Sequence, residues 1–170
     1  VRNALVAIAA AERHGIEVTE AIKALAGYEG VSMRQQITDV NGVTIIDDSY
    51  NASPDSMKAG IDVLCDYNNN GRKIAVLADM LELGDKSADY HKEVGGYMAE
   101  KKIDELILFG TMAANIGDGF NGSYKLFKKR EEINEYLLKT LKSGDAVLFK
   151  GSRGMKLNEC VDFLKENYNG

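Results

Sequence analysis

The chain has 170 residues, of which 45% are apolar and 28% charged, a balance typical of a globular domain long enough to bury a core. Acidic residues outnumber basic ones by 26 to 21, and the basic ones are dispersed, which argues against a nucleic-acid partner. No apolar stretch approaches the length of a membrane span, so we expect no membrane partner. With only two cysteines, the sequence predicts a reduced, cytoplasmic protein. Because it begins with Val1 rather than Met, we expect it to be a piece of a longer protein.

The first 34 residues differ in pattern from the rest. Residues 1–14 place Leu, Val, Ile and Ala at helical spacing ahead of Gly15, and Thr19 can cap a second short helix that Gly27 ends. We therefore assign residues 1–34 to the helical tail of a preceding domain and residues 35–170 to a separate domain.

From Gln35 onward, strands and helices alternate. The predicted strands are residues 35–39, 42–46, 73–78, 106–109, a short one near 124, and 146–149. The predicted helices begin at Pro54, run over 87–102, lie near 112, and cover 131–141 and 155–167. This alternation predicts an α/β fold: a Rossmann-like, mostly parallel sheet with helices on both faces, preceded by the short helical segment.

Two adjacent carboxylates, Asp47 and Asp48, follow the apolar strand at 42–46, and a polar turn separates them from the helix at Pro54, which Ser53 can cap. Ligands of open α/β sheets bind beyond the carboxyl ends of the strands, so this turn is a candidate site. Asp, Asn and Ser are also ordinary turn formers, and from the residues alone both interpretations stay open.

Two further polar turns follow predicted strands. The turn at 150–154, KGSRG, precedes the last helix, where glycines and free N–H groups suit an anion or carboxylate; a plain tight turn is the alternative. The turn at 79–84 places Asp79 at the same edge of the sheet as Asp48 and Ser152. Convergence of polar turns is what a binding pocket requires.

Other motifs in the sequence are weaker indications of a functional site. Gly117, Gly119 and Gly122 match a dinucleotide-binding pattern in spacing, but they follow a helical segment and precede a strand, so a loop is predicted there. His14 and His91 lack partners at metal-ligand spacing, so we predict no metal site. The sequence contains no phosphate loop and no nucleophile with its base.

Taken together, the motifs resemble the carboxyl-terminal domain of the Mur ligase family, and within it the branch that adds D-alanyl-D-alanine to UDP-N-acetylmuramoyl-tripeptide. The segments that carry the resemblance are DDSYNASPDS at 47–56, AVLADMLELG at 75–84, HKEVG at 91–95 and KGSRG at 150–154. Residues 3–34, beginning NALVAIA, are similar to the tail of the family's central ATPase domain. The resemblance covers essentially the whole chain.

The resemblance implies ATP-dependent amide formation in peptidoglycan biosynthesis. The family phosphorylates a substrate carboxylate, and the amine of D-alanyl-D-alanine attacks the acyl phosphate, releasing ADP and phosphate. The phosphate loop and the groups that hold Mg²⁺ belong to the family's central domain. The resemblance therefore implies ATP and Mg²⁺ as cofactors, the chain's own amino-terminal and central domains as partners, no catalytic residue in this chain, and no activity of the chain alone.

The family's binding residues carry over by motif position. The resemblance implies a nucleotide site at Asn3, Arg34, Asp48, Tyr50 and Asn51, with Asp48 on the ribose hydroxyls. It implies a substrate-binding site, for the dipeptide or its carboxylate, at Asp79, Glu82, Ser152 and Arg153. Strand alternation points Asp47 away from Asp48, so Asp47 should brace the turn.

Other interpretations remain. A Mur-type ligase for a different amino acid, or a folylpolyglutamate synthase, would share the fold and the Asp48 turn. A stand-alone α/β nucleotide-binding module without a ligase partner is the alternative from another class.

Overall fold

The computed structural model describes residues 2–28 and 31–170. The chain divides into two compact units, Val1–Val31 and Ser32–Gly170. The first contains α1 (Arg2–Arg13) and α2 (Val18–Ala26), which pack on each other. The cap predicted at Thr19 is wrong: α2 already begins at Val18, and extended backbone at Glu17 precedes it.

The second unit contains a six-stranded sheet and five α-helices among the residues that the structure describes. The strands are β1 (Gln36–Val40), β2 (Val43–Asp48), β3 (Lys73–Ala78), β4 (Glu105–Phe109), β5 (Lys125–Phe127) and β6 (Ala146–Lys150). The helices are α3 (Pro54–Asp66), α4 (Ser87–Ala99), α5 (Ala114–Phe120), α6 (Arg130–Thr140) and α7 (Asn158–Asn167). None of the helices in the described ranges is long and apolar enough to span a membrane.

The strand order is β1-β2-β6-β3-β4-β5, and all neighbours are parallel except β1 and β2. The hairpin between β1 and β2 turns at Asn41 and Gly42, which adopt φ values of 50° and 84°, as an Asn-Gly hairpin turn requires. Side chains of α6 and α7 pack on one face of the sheet, and those of α3, α4 and α5 on the other. The predicted α/β fold with helices on both faces is confirmed.

Several predicted bounds need correction. The helix predicted over 87–102 ends at Ala99, and the one predicted near 112 begins at Ala114. The last helix begins at Asn158 rather than 155, because a 3-10 turn at Arg153–Met155 comes before it. Ser53 does cap α3, since its side chain accepts a hydrogen bond from the Ser56 N–H.

Glycines allow α4 and α5 to lie in close contact. A Cβ atom at Gly95 would lie 2.0 Å from the carbonyl oxygen of Ile116, and one at Gly119 would lie 2.1 Å from that of Lys92. The loop predicted at Gly117 and Gly119 is therefore wrong, because both residues lie inside α5. The small size of Gly119 serves the packing of α5 on α4, whereas Gly117 leaves space for the Tyr124 ring, which would lie 2.3 Å from a Cβ atom there.

Gly95→Ala should destabilise the protein by about 1–3 kcal/mol, because the added methyl group overpacks the contact with α5. The matched control is Gly96→Ala, at an exposed position of the same helix where a Cβ meets nothing within 4 Å. The control should gain about 0.5–1 kcal/mol from helix propensity. Urea unfolding of the two variants measures both effects, and equal shifts would contradict the close-contact explanation.

An ion-pair network ties together the segments at the amino-terminal end of the sheet. The Arg72 guanidinium lies 2.6 Å from Asp145 Oδ2 and 3.0 Å from Glu105 Oε2, and it donates to the Thr140 carbonyl at 2.6 Å. Burial opposes ionisation of Asp145, but hydrogen bonds from Arg72 and from the Lys142 N–H outweigh it and hold the pKa of this carboxyl below its ordinary value. The network thus joins the residue before β3 to the first residue of β4 and to the residue before β6.

Asp145→Asn should lower the free energy of unfolding at pH 7, because Arg72 loses a charged partner. The loss should be limited to about 1–2 kcal/mol, since the partly exposed Arg72 recovers some hydration. The lowered folded-state pKa means that the stabilisation is present above the ordinary Asp pKa of about 3.9 and is lost as pH falls through the folded-state value. The difference between wild type and variant should therefore shrink as the pH falls below about 4. Urea titrations across that range test this, with Asp118→Asn on exposed α5 surface as control; a pH-independent difference would contradict it.

Candidate functional site

The carboxyl ends of β2, β6 and β3 lie side by side because these strands are neighbours in the sheet. Each is followed by a polar turn, at residues 48–53, 150–154 and 79–84 respectively. We call these three turns together the carboxyl edge. The predicted convergence of Asp48, Asp79 and Ser152 at one edge is thus present in the fold.

Asp48 and Lys150 form a buried ion pair at the carboxyl edge. The two residues are register partners on neighbouring strands, and Lys150 Nζ lies 2.6 Å from Asp48 Oδ2. The same ammonium donates to the Asn51 carbonyl at 3.2 Å, and the Gln35 N–H donates to Asp48 Oδ1 at 3.3 Å. The Asp48 carboxylate is therefore bound through both oxygens.

Asp47 braces the turn that follows β2. Its Oδ1 accepts hydrogen bonds from the Ser49 N–H at 3.1 Å and from the Ser49 hydroxyl at 2.6 Å, within a buried environment. This is the role that strand alternation predicts for Asp47, on the face opposite to Asp48.

The segment Met33–Gln35 lies beside the turn after β2. The Arg34 guanidinium stacks over the Tyr50 ring at 4.5 Å from the centroid, and the Tyr50 N–H donates to the Met33 carbonyl at 3.0 Å. Met33 and Gln35 both have positive φ, 61° and 50°, which is unfavourable for side chains other than glycine and is concentrated at functional sites. Arg153, from the turn after β6, contacts the Met33 sulfur. Arg34 and Arg153 are exposed and form a cationic surface here.

Backbone hydrogen bonds occupy the polar groups of the turn after β3. The Asp79 carboxylate accepts from the Ala113 N–H at 2.7 Å and the Thr111 N–H at 3.2 Å, so it holds the loop between β4 and α5. Ser152 binds this turn twice: its hydroxyl accepts from the Leu81 N–H at 2.9 Å, and its N–H donates to the Asp79 carbonyl at 3.1 Å. The turns after β3 and β6 therefore form one hydrogen-bonded unit.

His91, on α4, holds the turn after β3 through a backbone hydrogen bond. Its imidazole is fully buried, and Nε2 accepts a hydrogen bond from the Met80 N–H at 2.9 Å. Its Nδ1 lies 2.7 Å from the Ser87 carbonyl, so the neutral tautomer carries its proton on Nδ1. Glu82, at the exposed tip of the turn, has a positive φ of 63°.

Eight of the nine predicted binding residues lie on the carboxyl edge or on the segment beside it. The ninth, Asn3, lies exposed on α1 of the first unit. Sequence reasoning missed Lys150 as part of the site, because only the glycines, the serine and the arginine of KGSRG were interpreted as binding groups. The available signal was a lysine at the end of an otherwise apolar strand. Within residues 2–28 and 31–170, no group of three or more His, Cys, Asp or Glu side chains could hold a metal ion. The site can therefore bind and orient an anionic or hydroxyl-bearing ligand.

An open, mostly parallel sheet with polar turns at the carboxyl ends of its strands defines an α/β domain of the ligand-binding, doubly wound class. Residues 33–153 match the family described as Mur ligase, glutamate ligase domain. The chain belongs to this family.

Similar proteins and similar solved structures agree with this family assignment. The UDP-N-acetylmuramoyl-tripeptide--D-alanyl-D-alanine ligase of Bacillus subtilis is 41% identical over 98% of the chain. A crystal structure of MurF from Acinetobacter baumannii superimposes over 98% of the chain with a TM-score of 0.88 and 30% identity. MurF from Thermotoga maritima, solved in complex with ADP, covers 95% with a TM-score of 0.80 and 29% identity. The chain spans 38% of the Bacillus subtilis ligase, 38% of the Acinetobacter baumannii chain and 36% of the Thermotoga maritima chain.

His91→Leu should speed hydrogen exchange at the Met80 amide and lower the free energy of unfolding by about 1–3 kcal/mol, because a buried N–H loses its acceptor. Lys92→Ala, at the next and exposed position of α4, is the control and should change neither quantity measurably. Native-state hydrogen exchange followed by NMR resolves the Met80 signal. An unchanged exchange rate in the leucine variant would show that His91 does not hold this turn.

Proposed function

We propose that this chain is the carboxyl-terminal part of an ATP-dependent ligase that adds D-alanyl-D-alanine to UDP-N-acetylmuramoyl-tripeptide in peptidoglycan biosynthesis. The observation that carries the proposal is the 41% identity, over 98% of the chain, to the Bacillus subtilis enzyme of that name. Residues 1–34 are then the tail of the central ATPase domain, and residues 35–170 the carboxyl-terminal domain.

The nucleotide role rests on the segment around Arg34 and on the turn after β2. Tyr50 is 41% exposed, and the Arg34 guanidinium lies over its ring, so an exposed planar cation held on an aromatic residue is available to a base or a phosphate group. Asp48 offers a fixed carboxylate to ribose hydroxyls, and Asn51 extends the same turn. Asn3, on α1 of the first unit, is assigned to the nucleotide by the family resemblance alone. The ADP in the Thermotoga maritima relative supports a nucleotide as the ligand.

The proposed binding of the dipeptide substrate rests on the turns after β6 and β3. Arg153 is exposed, and its planar guanidinium can bind the carboxylate of the dipeptide through two parallel hydrogen bonds. Ser152 lies next to it and Glu82 at the tip of the neighbouring turn. Asp79 acts through the loop that it holds, because its carboxylate already accepts two backbone N–H groups.

In the proposed reaction, ATP phosphorylates the carboxylate of the tripeptide substrate. The amine of D-alanyl-D-alanine then attacks the acyl phosphate, and ADP and phosphate leave. This chain binds and orients the nucleotide and the dipeptide. Its described residues do not fit Mg²⁺, since they contain no cluster of metal ligands, so we assign the metal and the phosphate loop to the part of the ligase outside this chain. The chain alone should be inactive.

A titration of the isotope-labelled chain tests both roles. ATP should shift the NMR signals of Arg34, Asp48 and Asn51, and D-alanyl-D-alanine those of Ser152 and Arg153. Arg34→Ala should weaken ATP binding alone, and Arg153→Ala should weaken dipeptide binding alone, by several-fold each, since each loses one charged contact. Lys128→Ala, an exposed cation away from the carboxyl edge, is the control.

The outcomes separate the alternatives. ATP binding without any response to the dipeptide would contradict the D-alanyl-D-alanine assignment and favour another Mur-type ligase or a folylpolyglutamate synthase. Turnover of ATP by the chain alone with both substrates would contradict the division of labour between domains. Failure to bind either ligand would contradict the proposal as a whole.

A further inference from the structure

Lys150 is a buried cation at the end of a central strand. The residue is only 1% exposed, and burial of an ammonium group costs several kcal/mol unless it is paired and hydrogen-bonded. Its partners are Asp48 Oδ2 at 2.6 Å and the Asn51 carbonyl at 3.2 Å. Both belong to the strand and turn that contain the proposed nucleotide site.

Helix α3 leaves space for this pair. A Cβ atom at Gly60 would lie 2.8 Å from Lys150 Cδ and 3.3 Å from Asp48 Oδ2. Glycine inside a helix is destabilising relative to alanine. The close approach of the lysine stem to the helix accounts for glycine at this position.

The pair fixes the direction of the Asp48 carboxylate. Lys150 holds Oδ2, while the Gln35 N–H donates to Oδ1 from the segment that carries Arg34. The Asp48 side chain still retains 12% of its exposure, so a ligand can reach it at the carboxyl edge. A carboxylate already held in one orientation loses little conformational entropy when it accepts a ligand hydroxyl.

We propose that Lys150 is a positioning residue, which acts through Asp48 by holding this carboxylate ready for the hydroxyl groups of a ribose. The inference rests on the proposed nucleotide role of Asp48 and adds a residue that has no ligand contact of its own. A lysine that served stability alone would not affect which sugar the site prefers.

The experiment compares ATP with 2′,3′-dideoxy-ATP, which lacks both ribose hydroxyls. The wild-type chain should bind ATP about tenfold more tightly than the dideoxy analogue, since one hydrogen bond to a charged group is lost. Lys150→Met should reduce this preference to near one while leaving the affinity for dideoxy-ATP unchanged. A purely structural lysine would instead weaken binding of both nucleotides by the same factor.

Two further variants keep the test decisive if Lys150→Met does not fold because it leaves the Asp48 carboxylate unpaired. The double variant Asp48→Asn, Lys150→Met removes both charges and should fold without the sugar preference. Gly60→Ala displaces the lysine stem with both charges kept and should also reduce the preference, whereas Gly96→Ala should not.

The result separates this inference from the proposed function. If the wild-type chain binds neither nucleotide, the nucleotide role of the carboxyl edge is wrong. If it binds both equally, the nucleotide role stands, but Asp48 does not contact the ribose and the inference is overturned. If it prefers ATP, and Gly60→Ala and any folded Lys150→Met retain the full preference, Lys150 does not position Asp48.

Discussion

The position of β6, last in sequence but central in the sheet, is the constraint on which the carboxyl edge depends. Since β6 lies between β2 and β3, its end places Lys150 beside Asp48 on one side and Ser152 beside the turn after β3 on the other. A buried ammonium needs a carboxylate within contact distance, and the pairing of β6 with β2 provides it. The sheet topology therefore decides which charges can be buried at the site.

The two ends of the sheet use polar groups differently. At the amino-terminal end, Arg72 joins Asp145 and Glu105 into a closed network whose effect is stability. At the carboxyl edge and on the segment beside it, Met33, Gln35 and Glu82 adopt left-handed backbone conformations that each cost of order 1 kcal/mol or more. Free energy gained in the core and at the amino-terminal end offsets this local strain, which is a pattern expected where backbone is held in place for a ligand.

The fold was largely predictable because the alternation of apolar strands and amphipathic helices is a local signal. The hairpin at Asn41-Gly42 and the cap at Ser53 were equally local. Helix α5 was misread since its glycines lower helix propensity, and the contacts that require them, with α4 for Gly119 and with Tyr124 for Gly117, are invisible in the sequence. The pairing of Lys150 with Asp48, and of Asp79 with the loop before α5, depends on which strands are neighbours. These contacts could not be predicted before the strand order was known.

The carboxyl edge and the segment Met33–Gln35 beside it contain two kinds of binding group, and covering by another domain affects the two kinds differently. Asp48 is held through both oxygens, so its geometry is already set. Arg34 and Arg153 are exposed, and water and salt screen their attraction for anions. If the rest of the ligase covers this edge, as the proposed function requires, the local dielectric falls and the same guanidinium contacts strengthen several-fold. Closure would then convert weak binding by this chain into tight binding without moving Asp48.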